Sequence, residues 1–215
     1  MKVKVCGITR FDQLEQLDLL NVDFAGMIFY KNSKRSVGDS LERYKGHIKD
    51  LNIIKVGVFV NAGIDEILKA INDFGLDVIQ LHGDESALFC KELGSQIKLI
   101  KAFRVNPETD IESMIDNYRS VCDYFLFDTL PVDGNAAEYG GTGKRFDWSI
   151  LMKCRIGKPF FLSGGIRPEH IPDIRKFNHP ELLAIDINSG FETEAGVKNL
   201  ILVEKFINEL RYEQS

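Results

Sequence analysis

Across 215 residues the chain is 44% hydrophobic and 27% charged, with a formal net charge of −5, which suits a globular protein with a sizeable core and disfavours a nucleic-acid surface. Its four cysteines (Cys6, Cys90, Cys122, Cys154) form no CxxC pair and no zinc spacing, so free thiols in a reducing cytoplasm are the economical expectation. The stretch from Met1 to Gly7 lacks the apolar core of a secretory signal, and no run approaches the ~20 apolar residues of a membrane helix.

Taken in order, the chain repeats one unit eight times: a short apolar strand, polar or glycine-rich residues, then a helical stretch. Val3–Ile8 leads into a helix over Phe11–Asn21, with Leu14, Leu17 and Leu20 near one face and Thr9 or Asp12 as its cap. Phe24–Phe29 is followed by a weaker helical stretch, Ser40–Lys49. Ile54–Val60 leads to Ile64–Phe74, closed by Gly75, and Val78–His82 leads to a helix stopped by Gly94. Leu99–Val105 precedes a helix over Pro107–Val121, with proline at the position that tolerates a missing N–H. Tyr124–Thr129, Phe160–Ser163 and Leu183–Ile187 complete the strands, and Asp147–Cys154, His170–Phe177 and Lys198–Arg211 the helices.

Near-continuous apolar strands suit parallel pairing beneath helices. An open doubly wound sheet alternates in the same way, but no GxGxxG follows the first strand. Chemically interesting residues follow nearly every strand instead of clustering at one switch point. The expected architecture is α/β, a single (β/α)8 TIM barrel spanning 1–215, with its active site at the C-terminal rim.

Several rim residues carry reactive groups. Cys6 ends the first strand; as a base it needs a lowered pKa, which a nearby helix start would favour, whereas a small buried apolar role is the plain alternative. Cys90, Cys122 and Cys154 read as packing residues. Asp128 closes Tyr-Phe-Leu-Phe-Asp-Thr, where desolvation would raise its pKa towards general-acid use; capping a loop is the alternative. Across an eight-fold ring, strands one and six can present Cys6 and Asp128 to opposite sides of one substrate.

Ser163-Gly164-Gly165-Ile166 and Asn188-Ser189-Gly190 follow strands seven and eight, where barrels often bind phosphate through backbone N–H groups. Tight turns alone would also use these glycines. Gly140-Gly141-Thr142-Gly143-Lys144 has the wrong spacing for a Walker loop and reads as a substrate-covering segment, its far end anchored by Phe146-Asp147-Trp148. Arg35 suits a carboxylate or is a solvated loop charge. His82 donates to substrate or is structural; Asp186 orients a sugar hydroxyl or holds its loop. No metal site is expected, since the four histidines include no i,i+4 pair.

As a set, Lys4-Val-Cys6-Gly-Ile-Thr9, Gln80-Leu-His-Gly83, Lys101-Ala-Phe-Arg-Val105, Phe127-Asp-Thr129, Gly140–Gly143 with Phe146-Asp-Trp148, Leu162-Ser-Gly-Gly-Ile166 and Asp186-Ile-Asn-Ser-Gly190 resemble the phosphoribosylanthranilate isomerase family over the whole chain. The resemblance implies a tryptophan-pathway Amadori rearrangement of N-(5-phosphoribosyl)anthranilate into 1-(2-carboxyphenylamino)-1-deoxyribulose 5-phosphate. It implies Asp128 as general acid, Cys6 as general base, Arg35 on the anthranilate carboxylate, and Gly164, Gly165, Ser189 and Gly190 on the phosphate. His82 and Asp186 complete the expected substrate contacts.

The resemblance further implies no cofactor, no metal, and a phosphorylated sugar–anthranilate as the small-molecule partner, with no nucleic acid or membrane. Monomer and homodimer are both compatible with this size. The sequence departs from the family's usual pattern at three places. Asn32-Ser33-Lys34-Arg35-Ser36 replaces Ser-Pro-Arg, Asn188 replaces a serine, and Arg145 replaces a small residue. Two other readings are the histidine-pathway Amadori enzyme, which wants an aspartate at the place of Cys6, and a non-catalytic phosphosugar-binding barrel, which needs neither acid nor base.

Overall fold

The computed structural model describes residues 1–129 and 146–212. Eight parallel strands close into a barrel in chain order: β1 (Lys2–Cys6), β2 (Phe24–Ile28), β3 (Ile54–Phe59), β4 (Val78–Leu81), β5 (Lys98–Val105), β6 (Tyr124–Thr129), β7 (Phe160–Leu162) and β8 (Leu182–Ile187). The ring shuts where β1 runs parallel to β8, with Lys4 opposite Asp186. A short antiparallel hairpin, β9 (Glu192–Glu194) with β10 (Val197–Lys198), follows the barrel.

Side chains on a strand alternate between faces, and here the alternation sorts two cores. Phe24, Val56, Val78, Ile100, Leu126, Phe161 and Ala184 meet inside the barrel, all buried. Outward-facing Val3, Val5, Phe59, Leu81, Phe127 and Ile187 join a larger core with the helices. Two residues further along the inner faces, the apolar lining gives way to Gln80 after Val78, Asp128 after Leu126, Ser163 after Phe161 and Asp186 after Ala184. The barrel is therefore filled with hydrocarbon at its base and polar groups at its mouth. The first strand departs from the apolar-run expectation: it alternates, placing Lys4 and Cys6 inward between Val3 and Val5.

The helices are α1 (Phe11–Leu19), α2 (Asp39–Glu42), α3 (Lys45–Lys49), α4 (Ile64–Phe74), α5 (Ala87–Gly94), α6 (Ile111–Asp116), α7 (Ile171–Lys176) and α8 (Leu200–Tyr212). The weak second helical stretch is two short pieces. Gly75 ends α4 in the left-handed conformation at φ 63°, where glycine avoids the Cβ penalty.

Several terminal assignments need correction. Neither Thr9 nor Asp12 caps α1. Arg10 holds that position without a side-chain bond, while the Thr9 hydroxyl donates to the Gly196 carbonyl at 2.7 Å. Gly94 lies within α5, and the Ser86 hydroxyl caps the helix start by accepting from Phe89 N–H. Helix α6 begins after Asp110, not at Pro107. Asn106 and Thr109 divert the intervening N–H groups into a side-chain-bonded turn, which competes with helix. The segment Trp148–Lys153 is a 3-10 helix started by Asp147. Lys198 belongs to β10, one residue before Asn199 and the start of α8.

Helix α8 packs Phe206 edge-on against Phe191 at 4.8 Å. Its Arg211 reaches back to the Asp23 carboxylate at 2.7 Å, tying the last helix to the entry of β2. Among the described residues no helix is long and apolar enough to cross a membrane. Phe161 sits at the centre of the inner core, edge-on to Phe24 at 5.1 Å and to Tyr124 at 6.0 Å. Phe161→Ala is expected to lower the unfolding free energy by about 3–5 kcal/mol, measured by urea denaturation; a loss under 1 kcal/mol would contradict a tightly filled barrel.

Candidate active site

A cleft opens at the C-terminal mouth of the barrel. Cys6, His82, Asp128, Gly164, Gly165, Asp186, Ser189 and Gly190 all line it. Cys6 stands at the end of β1 and Asp128 in β6, so the cleft separates two titratable groups from distant strands. Arg35 is not on the lining. Its Nε and Nη2 donate to the Glu192 carboxylate at 2.7–3.0 Å, and its Cδ lies 2.8 Å from where a Cβ on Gly7 would stand. The Arg35 stem thus passes over Gly7, which has φ +76°, and its guanidinium is already paired with Glu192.

Asp128 is oriented from two sides. Its Oδ1 accepts from Thr129 N–H at 2.8 Å, and its Oδ2 lies 3.5 Å from His82 Nε2. Gln80 Nε2 lies 3.0 Å from His82 Nδ1. With the Gln80 amide nitrogen turned towards the ring, Nδ1 accepts, and the Nε2–H of that tautomer faces Asp128 and the cleft. At 3.5 Å that N–H has not formed a hydrogen bond, and among the described residues it has no other partner.

The glycine loops owe their composition to both conformation and space. Gly164 and Gly165 have φ +91° and +62°, values costly for any residue with a Cβ. A Cβ on Gly164 would strike the Thr129 hydroxyl and approach Asp128 Oδ1. Gly190 needs no positive φ; it is glycine because a Cβ would meet the Ile166 carbonyl. The two loops therefore abut, and the first also abuts the strand carrying Asp128. Gly140–Lys144 and Arg145 lie outside the described residues, while Phe146 and Trp148 are buried.

Cys6 departs from the sequence expectation in its electrostatics. Burial pushes its thiol above the usual cysteine pKa, the Lys4 ammonium pulls it down, Asp186 pushes it up and Lys198 pulls it down. The helix that follows, α1, begins only at Phe11. Asp186 is buried; it accepts from Lys4 Nζ at 2.9 Å and from the Ser163 hydroxyl at 3.2 Å. Burial raises its pKa against the opposing pull of Lys4.

Sequence reasoning missed Lys4, Gln80, Glu192 and Lys198. Lys198 Nζ donates to Glu192 at 2.6 Å and to Asn188 Oδ1 at 2.7 Å, so the atypical Asn188 is tied to the Arg35 cluster. The signal for Lys4 was present: the alternation Lys2-Val3-Lys4-Val5-Cys6 places a lysine on the same face as the thiol.

A closed parallel barrel with a polar cleft at its C-terminal mouth is the architecture of a barrel enzyme acting on a small molecule. The family model of N-(5'phosphoribosyl)anthranilate (PRA) isomerase matches residues 3–209. An N-(5'-phosphoribosyl)anthranilate isomerase from Parabacteroides distasonis is 42% identical over 212 residues, covering 98% of this chain and 93% of that one. The crystal structure of phosphoribosyl anthranilate isomerase from Thermotoga maritima superposes with a TM-score of 0.84 at 32% identity, covering 98% of both chains. A structure of the enzyme in complex with reduced 1-(o-carboxyphenylamino)-1-deoxyribulose 5-phosphate gives 0.81 at 30% identity, again over 98% of each chain. The chain belongs to the phosphoribosylanthranilate isomerase family and is an isomerase of tryptophan biosynthesis.

The raised Cys6 pKa has a direct consequence. Only the thiolate alkylates readily, so the rate of Cys6 carbamidomethylation by iodoacetamide is expected to keep rising above pH 9, followed by peptide mass spectrometry. A plateau below pH 8 would contradict the burial effect.

Proposed function

We propose that the chain catalyses the Amadori rearrangement of N-(5-phosphoribosyl)anthranilate to 1-(2-carboxyphenylamino)-1-deoxyribulose 5-phosphate, with Asp128 as general acid and Cys6 as general base. One observation carries the reading: Cys6 and Asp128 belong to the same cleft, which is bordered by two abutting glycine loops. The family's solved complex with a reduced form of that product supports the substrate class.

The chemistry needs one acid and one base. Asp128, in its protonated form, gives a proton to the ribose ring oxygen as the C1–O bond breaks, and the anthranilate nitrogen lone pair forms the C1=N bond of a Schiff base. The Cys6 thiolate then removes the proton from C2. The C2–H electron pair becomes the C1=C2 bond of an enolamine and neutralises the iminium nitrogen. Tautomerisation to the ketone moves the hydroxyl proton from O2 to C1.

Binding follows from the same lining. Backbone N–H groups at Gly164, Gly165, Ser189 and Gly190 hold the phosphate, and Ile28, Tyr30, Val58 and Val60 offer a largely apolar wall to the anthranilate ring. His82 Nε2–H, buried and unpartnered, donates to a ribose oxygen. Arg35 takes the anthranilate carboxylate, with the Glu192 pair fixing its plane. A non-catalytic phosphosugar binder needs the loops alone and leaves the facing thiol and carboxylate without a purpose.

Cys6→Ser and Asp128→Asn are each expected to lower kcat about 10²–10⁴-fold with modest change in KM, whereas Arg35→Ala raises KM. Steady-state fluorescence assays of phosphoribosylanthranilate turnover read all three. An unchanged kcat in either of the first two variants removes that residue from its role.

A further inference from the structure

Lys4 is fully buried inside the barrel mouth, and its position asks for an explanation. A lysine so placed costs several kcal/mol unless paired, and its Nζ donates to Asp186 Oδ1 at 2.9 Å. It also lies two residues before Cys6 on the inward face of β1, where its ammonium pulls the Cys6 thiol towards the thiolate. One buried cation is thus bonded to a carboxylate and set on the same strand face as a thiol, and both of those groups line the cleft.

The charges around Cys6 do not balance while it is a thiol. From β1 comes Lys4, from β8 Asp186, from β10 Lys198, from the loop after β2 Arg35, and from β9 Glu192. Those are three cations against two carboxylates, which leaves one positive charge over. Across the cleft, Asp128 faces His82 at 3.5 Å and is felt electrostatically by Asp186. A thiolate at Cys6 brings its own side of the cleft to neutrality.

We propose that Lys4 is the positioning residue that keeps Cys6 available as a base, its buried ammonium stabilising the thiolate while Asp186 holds that ammonium in place and moderates it. This deepens the acid–base reading above and rests on it for its catalytic meaning. The electrostatic directions agree: burial works against the Lys4 charge, yet Asp186 and Cys6 beside it hold its proton affinity above that of ordinary lysine. Arg35 and Lys198 are partly occupied by Glu192, and among the cations near Cys6 it is Lys4 that pulls hardest on the thiol.

The proposal makes opposite predictions for the two members of one ion pair. The readout is the midpoint of the pH profile for Cys6 alkylation by iodoacetamide, resolved from the other thiols by peptide mass spectrometry. Lys4→Met should move that midpoint up by about one pH unit or more, and Lys4→Arg should restore most of it. Asp186→Asn should move it down, because the carboxylate no longer repels the thiolate and the ammonium is released to the sulfur. In the double variant Lys4→Met/Asp186→Asn the downward shift relative to Lys4→Met should shrink to what the lost repulsion between Asp186 and the thiolate contributes.

A merely structural ion pair would move both single variants in the same direction, and that result overturns the proposal, as does an unshifted midpoint in Lys4→Met. If Lys4→Met fails to fold, as judged by circular dichroism, Lys4→Gln decides in its place: a raised midpoint supports the proposal and an unchanged or lower one sinks it. Turnover is measured in parallel. The expected midpoint shifts with an unchanged kcat in Lys4→Met would leave the Lys4–Cys6 coupling intact and count against Cys6 as the base.

Discussion

The closure of β1 on β8 is the constraint on which the remaining structure depends. The same backbone pairing that shuts the ring sets Lys4 opposite Asp186 and so joins two charges that could not be buried singly. Breaking such a pair by removing one partner typically costs about 3–5 kcal/mol, so register at the seam and charge balance in the mouth enforce each other. A slip of one residue would turn Lys4 out towards the helices and Val3 or Val5 into the cleft.

Above this seam the barrel changes character along its axis. Its base is hydrocarbon, built from Phe24, Val56, Phe161 and their neighbours, and gives the rigidity of a packed core. Its mouth collects Cys6, Gln80, Asp128, Ser163 and Asp186 from separate strands. Side chains anchored on strands hold their geometry better than loop residues, which suits a site whose polar groups come from several strands. The loops add close backbone approach. Gly164 is pressed against Thr129 and Gly190 against the Ile166 carbonyl, so the two glycine loops and the strand carrying Asp128 form one packed unit.

The second network, Arg35–Glu192–Lys198–Asn188, reaches the cleft from outside the barrel. It links the loop after β2 to the hairpin after β8 through charge-assisted bonds of 2.6–3.0 Å. It accounts for two sequence departures together. Asn188 is an acceptor for Lys198, and the Arg35 loop is disciplined by Glu192 although it lacks the family's usual proline.

The chain alone specified the eight strands, their order, the rim position of Cys6, His82, Asp128 and the glycine loops, and the family resemblance. All of these follow from local information, namely apolar runs, turn residues and motif spacing. It did not specify where helices begin when side chains such as Asn106 and Thr109 capture the backbone first. Nor did it reveal that Arg35 is paired, that Cys6 is pushed up rather than down, or that Lys4 underlies it. Those depend on residues up to 182 positions apart being brought together by closure, and burial and pairing energies exist only once the barrel is shut.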